Sequence, residues 1–200
     1  MTAQRGPAGE RTQRDDAEDR DAILSVRAGH KECFSGLVTK YMHRAHAIAL
    51  VIVGDSHDAM DLAQDAFLKS YRSLGSFDIE QPFFPWFYRI LRNTCISFIK
   101  RHRRLRKISL TSKTADEPDL EIPDASLNPA VLADRTEMTE KFWQAYGRLA
   151  IRDREIIALR HFHELSYEQI AQAIDIPIGT VMSRLFHARR RLKERLEHYL

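Results

Sequence analysis

Apolar residues recur at helical spacing along most of the chain, in two blocks separated by a polar stretch. The first block runs from about Asp21 to Arg106 and the second from about Ala130 to Leu200. Strict alternation of apolar and polar residues occurs nowhere, so the pattern predicts helices and no strands. Residues 1–20 are polar and without period, which predicts a disordered tail. Residues 107–129 carry Pro118, Pro123 and Pro129 among Ser, Thr, Asp and Glu, which reads as a linker. The expected architecture is all-α: two small helical domains, 21–106 and 130–200, joined by a flexible linker.

Two segments of the second block read as a helix-turn-helix. Ser166, Tyr167, Glu168 and Gln169 form a capping-box pattern, followed by Ile170, Ala171 and Ile174 on one side of a short helix. Asp175-Ile176-Pro177 breaks it, and Gly179 is expected to allow a tight approach between the helices. On the second helix, Val181, Leu185, Ala188, Leu192 and Leu196 make one apolar stripe. Ser183, His187 and Arg190 point away from it, flanked by Arg184 and Phe186. Basic residues crowd the C-terminal half of this helix. A solvated amphipathic helix with cations at its C-terminus would show the same charge. Capping box, turn and basic outer face together favour a DNA-reading helix.

The first block holds two further features. Phe83-Phe84-Pro85-Trp86-Phe87-Tyr88-Arg89 is densely aromatic, and eight basic residues with no acid lie between Arg89 and Lys107. Phe87, Ile90, Leu91, Thr94 and Phe98 share one stripe; Tyr88, Arg89, Arg92, Ile96 and Lys100 lie on the other side, with Trp86 and Asn93 at the edges. Rings beside cations suit single-stranded nucleic acid, because bases stack while cations hold phosphates. Trp86 and Tyr88 as ordinary core residues is the competing reading. Upstream, Asp58, Asp61 and Asp65 share a helix face opposite Met60, Ala63 and Phe67. Such a face can meet a basic partner, bind metal, or simply favour a helix N-terminus.

Charge sharpens this picture. Residues 21–106 carry 13 basic and 8 acidic groups, and residues 131–200 carry 12 and 10, so both blocks are positive. Residues 107–130 carry 2 basic and 5 acidic groups, an acidic strip between them. Basic domains point to a polyanionic partner. No apolar run is long enough to span a membrane, no leader-like apolar segment opens the chain, and two cysteines make no disulfide framework. A cytoplasmic protein without membrane insertion is expected. His30, Cys33, His43 and His46 mimic a zinc set, but evident supporting groups are missing and no metal or cofactor is expected. His161 and His163 flank a loop and are expected to be solvated. With no nucleophile–base pair or phosphate-cradling loop, an enzyme is not expected.

The motifs also carry a family resemblance. Asp58 to Tyr71 resembles region 2.2 of bacterial sigma factors, and Trp86 to Asn93 resembles regions 2.3–2.4. Arg154 to Arg160, Ser166 to Ala173 and Gly179 to Leu185 resemble region 4. Two such domains on a short linker are similar to the extracytoplasmic-function (ECF) group of the sigma-70 family. The resemblance implies a factor that binds core RNA polymerase, directs it to promoters and promotes opening of the -10 strand. It implies core contacts at Asp61, Gln64 and Asp65. It implies -10 contacts at Phe77, Asp78, Trp86, Tyr88, Arg89, Arg92, Asn93 and Lys100, and -35 contacts at Ser183, Arg184, Phe186, His187 and Arg190. An anti-sigma partner is implied as well. His187 stands where family members often carry Arg, and Asp78 to Gln81 departs from the usual loop; both bear on promoter sequence. Two other readings compete: a stand-alone helix-turn-helix regulator, which leaves the first block unexplained, and a metal-dependent nuclease built on Asp58, Asp61 and Asp65, which leaves the second.

Overall fold

A computed structural model describes residues 7–109 and 137–198. Its first helical group comprises α1 (Pro7–Arg27), α2 (Phe34–Val53), α3 (Ser56–Ser73) and α4 (Phe83–Ser109). The second comprises α5 (Glu137–Gly147), α6 (Ile151–Ile157), α7 (Tyr167–Ile174) and α8 (Ile178–Glu197). No strand occurs among the described residues. Two helical domains were expected, and two are found.

The chain departs from the expected tail at its start. α1 begins at Pro7 rather than near Asp21. Proline suits a first helical turn because its missing N–H has no partner there in any case. The helix is docked by Ile23, fully buried, and by Asp19, 2% exposed. The Asp19 carboxylate accepts hydrogen bonds from the Tyr41 hydroxyl and from Lys40 Nζ at 2.7 Å. A polar segment is thus ordered by one buried carboxylate meeting partners about twenty residues away.

Helix boundaries follow local chemistry. α2 buries Leu37, Tyr41, Ala45, Ile48 and Ile52 along one face. It ends at Gly54, whose φ of 86° is left-handed and whose N–H closes on the Leu50 carbonyl at 2.9 Å. Asp55 then caps α3, its side chain accepting from the Asp58 N–H at 2.9 Å. α3 packs through Ala59, Leu62, Ala63, Ala66 and Phe67. Met60, expected on that stripe, is 38% exposed, next to the fully buried Ala59. Phe67 stacks on Phe87 of α4 with centroids 4.4 Å apart, and Phe83 stacks on Phe87 at 5.7 Å. Each such ring contributes about 1.5–3 kcal/mol by burial.

α4 runs three residues into the expected linker, to Ser109. The rest of that linker, and residues 130–136 of the expected second domain, lie outside the described residues. In the second group, α6 widens into a looser turn over Ala158–Phe162. The Tyr146 hydroxyl donates to the Arg154 carbonyl at 2.8 Å, tying α5 to α6. Asp153 of α6 receives two hydrogen bonds from Arg191 of α8, at 2.6 and 2.7 Å.

The two groups are packed against each other, α6 and α7 against α2 and α4.

Candidate polymerase and promoter interfaces

The helix-turn-helix is built as its caps direct. Ser166 Oγ accepts from the Gln169 N–H at 3.2 Å, and Gln169 Oε1 accepts from the Ser166 N–H at 2.9 Å. The turn itself differs from expectation. Its left-handed residue is Asp175, with φ of 56°, and Pro177 caps α8. Gly179 lies inside α8, where an added Cβ would meet nothing within 4 Å; no close approach requires glycine there.

α8 buries Val181, Leu185 and Ala188 against the rest of its domain, with Leu192 and Leu196 half-buried. Ser183, Phe186, His187 and Arg190 are exposed and Arg184 is half-buried. The Phe186 ring lies edge-on to His187 at 5.4 Å. Ile178 and Met182 extend the exposed apolar surface from Phe186 toward the turn, being 43% and 54% exposed. The dense charge of this helix masks that i, i+4, i+8 row in the sequence, although its spacing alone reveals it. Two cations of the basic half are engaged elsewhere: Arg191 with Asp153, and Arg189 with His161 Nε2 at 3.1 Å. Arg190 lies 3.5 Å from Glu194 on the surface.

On α3, Asp61 and Gln64 are exposed and Asp65 is half-exposed. Asp65 pairs with Lys69 at 2.8 Å, one turn on. Asp61 faces His57 at 3.6 Å. Met60 and Leu68 stand beside them, 38% and 56% exposed, so the face is mixed acidic and apolar. Among the described residues, no three His, Cys, Asp or Glu side chains are gathered as metal ligands would be. His30 instead faces Glu32, and His46 lies beside Ser56.

Burial divides the expected -10 residues. Arg89, Asn93 and Lys100 are exposed on one side of α4, and Trp86 is half-buried. Phe77 is 4% exposed, its ring on Trp86 at 4.7 Å. Core packing claims that ring, leaving Asp78 as the exposed start of the loop. The loop is braced by α1. Arg27 donates to the Leu74 carbonyl at 2.7 Å and also to the Phe77 carbonyl, while Arg20 pairs with Glu80.

Tyr88 overturns its expected place on an open stacking surface: it is 1% exposed. α6 covers it, and its hydroxyl donates to Glu155 Oε1 at 2.6 Å. Arg92, one turn along α4, donates from Nε to the same oxygen. Burial works against the Arg92 charge, but Glu155 outweighs it and holds the guanidinium pKa above its ordinary value. Burial, then the Glu155 charge, pushes the Tyr88 phenol well up, so it stays a donor. His163, expected in solvent, is also half-buried here. Its ring faces Phe84 at 6.2 Å, and its carbonyl accepts from Arg44 at 2.6 Å. Arg44 lies over the Phe84 ring, its Cζ 3.5 Å from the centroid, with its Nε buried and unpartnered.

Sequence matches fall on these two groups. Residues 37–105 match the family Sigma-70 region 2, and residues 139–192 match Sigma-70, region 4. The chain is 36% identical over 187 residues to the RNA polymerase sigma-H factor of Pseudomonas aeruginosa, covering 92% of this chain and 96% of that one. It is 32% identical over 182 residues to the ECF RNA polymerase sigma-E factor of Escherichia coli strain K12, covering 90% and 94%. The chain belongs to the ECF group of the sigma-70 family. Sigma factors bind RNA polymerase and direct it to promoter DNA, so this factor acts in transcription initiation and is not an enzyme. Its fold is similar to that of the sigma factor RpoE from Bartonella quintana, solved with the anti-sigma factor NepR. That likeness has a TM-score of 0.63 at 26% identity and covers 82% of this chain and 96% of that one. No described helix of this sigma factor is long and apolar enough to cross a membrane.

Proposed function

We propose that this sigma factor works in the cytoplasm through three surfaces. Asp61 and Gln64, with Asp65 as a lesser contributor held by Lys69, meet basic groups on core RNA polymerase beside the apolar Met60 and Leu68. The exposed row Arg89, Asn93 and Lys100, with Arg92, the edge of Trp86 and the loop at Asp78, takes the unpaired -10 strand. Ser183, Arg184, Phe186, His187 and Arg190 on α8 read the -35 duplex, hydrogen-bonding groups giving sequence and cations giving affinity. An anti-sigma factor holds the protein in reserve, as NepR is found with its own sigma factor.

The observation that carries this reading is α8: its buried stripe and its exposed polar and basic residues lie on opposite sides, behind a fully formed capping box. Run-off transcription with purified core polymerase tests it. Initiation should require this chain. Arg184→Ala and Arg190→Ala should weaken binding to a -35 duplex by about 1–3 kcal/mol where the contact is to a base. Unchanged affinity and unchanged salt dependence in both variants would refute the assignment of α8.

A further inference from the structure

The contact between the two domains takes up donors that the -10 surface would use. Tyr88 and Arg92 lie one turn apart on α4, and both donate to one carboxylate oxygen of Glu155. A hydroxyl and a guanidinium N–H converging on one anionic oxygen is also how proteins hold a nucleic-acid phosphate. Next to this pair, Arg89, Asn93 and Lys100 continue along the exposed side of α4. At the other end of the contact, Gln172 of α7 donates to Gln81 of the -10 loop at 2.9 Å. The -35 side is untouched: Ser183, Phe186 and His187 of α8 remain exposed.

We infer that Tyr88 and Arg92 form a phosphodiester-binding site on α4, and that Glu155 of region 4 occupies this site as an intramolecular stand-in for the DNA backbone. The free chain is therefore closed toward the -10 strand and open toward the -35 duplex. Engagement with single-stranded DNA requires Glu155 to leave, and only one of the two anions can be bound at a time. The inference rests on the proposed -10 role of α4 and adds the competitor for it. Glu155 suits the role because it is 5% exposed and its attraction to Arg92 is poorly screened there. The same burial makes the closed state costly to hold without that pairing, since an unpaired buried charge is strongly destabilising.

The test compares the full chain with Glu155→Gln and Glu155→Ala by small-angle X-ray scattering and by fluorescence anisotropy. The probes are a labelled mixed-sequence single strand and a labelled duplex. Wild type should scatter as the closed chain. Both variants should expand, bind the single strand about tenfold more tightly or better, and bind the duplex through α8 as before. Tyr88→Phe loosens the contact from region 2, without altering region 4. It should also expand the chain but gain less affinity, having lost one phosphate donor. Wild type already expanded, variants that stay closed, or expansion without tighter single-strand binding would each overturn the inference. Run-off transcription with core polymerase, by wild type and Glu155→Gln, separates this from the underlying reading. Wild type and Glu155→Gln both inactive in run-off would refute the sigma-factor surfaces themselves. Active run-off with no Glu155 effect on scattering or single-strand binding refutes only the competition.

Discussion

Acidification should open the molecule, and His163 sets the size of the effect. Its imidazole is half-buried at the domain contact, where burial first and the Arg44 charge second push its pKa down to about 3. Arg44 faces it from α2 and the Phe84 ring from α4, with Glu155 and Tyr88 lining the same small cavity. Glu164, its neighbour, also acts on Arg44. In an opened chain the ring returns to an ordinary value of about 6.5. The closed state therefore binds fewer protons between about pH 6.5 and 3, and it loses stability relative to the open state as pH falls through that window. Between pH 7.5 and 5 the loss is about 2 kcal/mol, or about thirtyfold in the ratio of open to closed chains. Above about pH 7 the contribution is flat. Scattering across this range, or distance measurement between a probe on each domain, should report expansion in acid. His163→Gln, which cannot take up the proton, should flatten the profile. An unchanged distance at pH 5, or the same acid expansion in His163→Gln, would refute the assignment.

Three further outcomes are expected. Arg191→Ala strips a buried carboxylate, Asp153, of a two-point partner that is itself partly exposed. Thermal unfolding should show a loss of about 1–3 kcal/mol without any change in duplex specificity. Ser166→Ala removes the cap of α7 and should cost about 1 kcal/mol, read by denaturant titration. Asp61→Lys should abolish binding to core polymerase at physiological salt, measured by co-elution or fluorescence. Far-UV circular dichroism and melting should stay near wild type, because the side chain is exposed.

Legibility in the sequence followed the range of the forces involved. Periodicity located the helices α3, α4 and α8, since each buries a face set by local spacing. The capping box at Ser166 and Gln169 was readable because its partners are three residues apart. Features decided by distant contacts were not. Polar composition hid α1, whose docking depends on Asp19 finding Tyr41 and Lys40. Tyr88 lies on the side of α4 away from the core stripe, so a wheel places it in solvent; only the arrival of α6 from another domain buries it. His163 was lost for the same reason. At the turn, glycine drew attention, although the left-handed conformation falls on Asp175, whose short polar side chain also tolerates it. The acidic face of α3 was legible as a surface, but its division into a paired Asp65 and a more open Asp61 depends on rotamers that spacing does not fix.

The brace from α1 to the loop at Asp78 bears on how sigma regions can be exchanged. Arg27 fastens the carbonyls of Leu74 and Phe77, and Arg20 holds Glu80, yet both arginines lie ahead of the segment matched as region 2, which begins at residue 37. A hybrid cut at the family boundary would transplant the loop without its splint. Helix α3 would arrive intact while the loop proposed to capture the strand arrived slack. Promoter opening would then fail for a reason absent from the transplanted residues. A cut placed before Asp15 carries the splint along, and hybrids made both ways from one donor would separate a loop that reads DNA poorly from one that is merely unsupported.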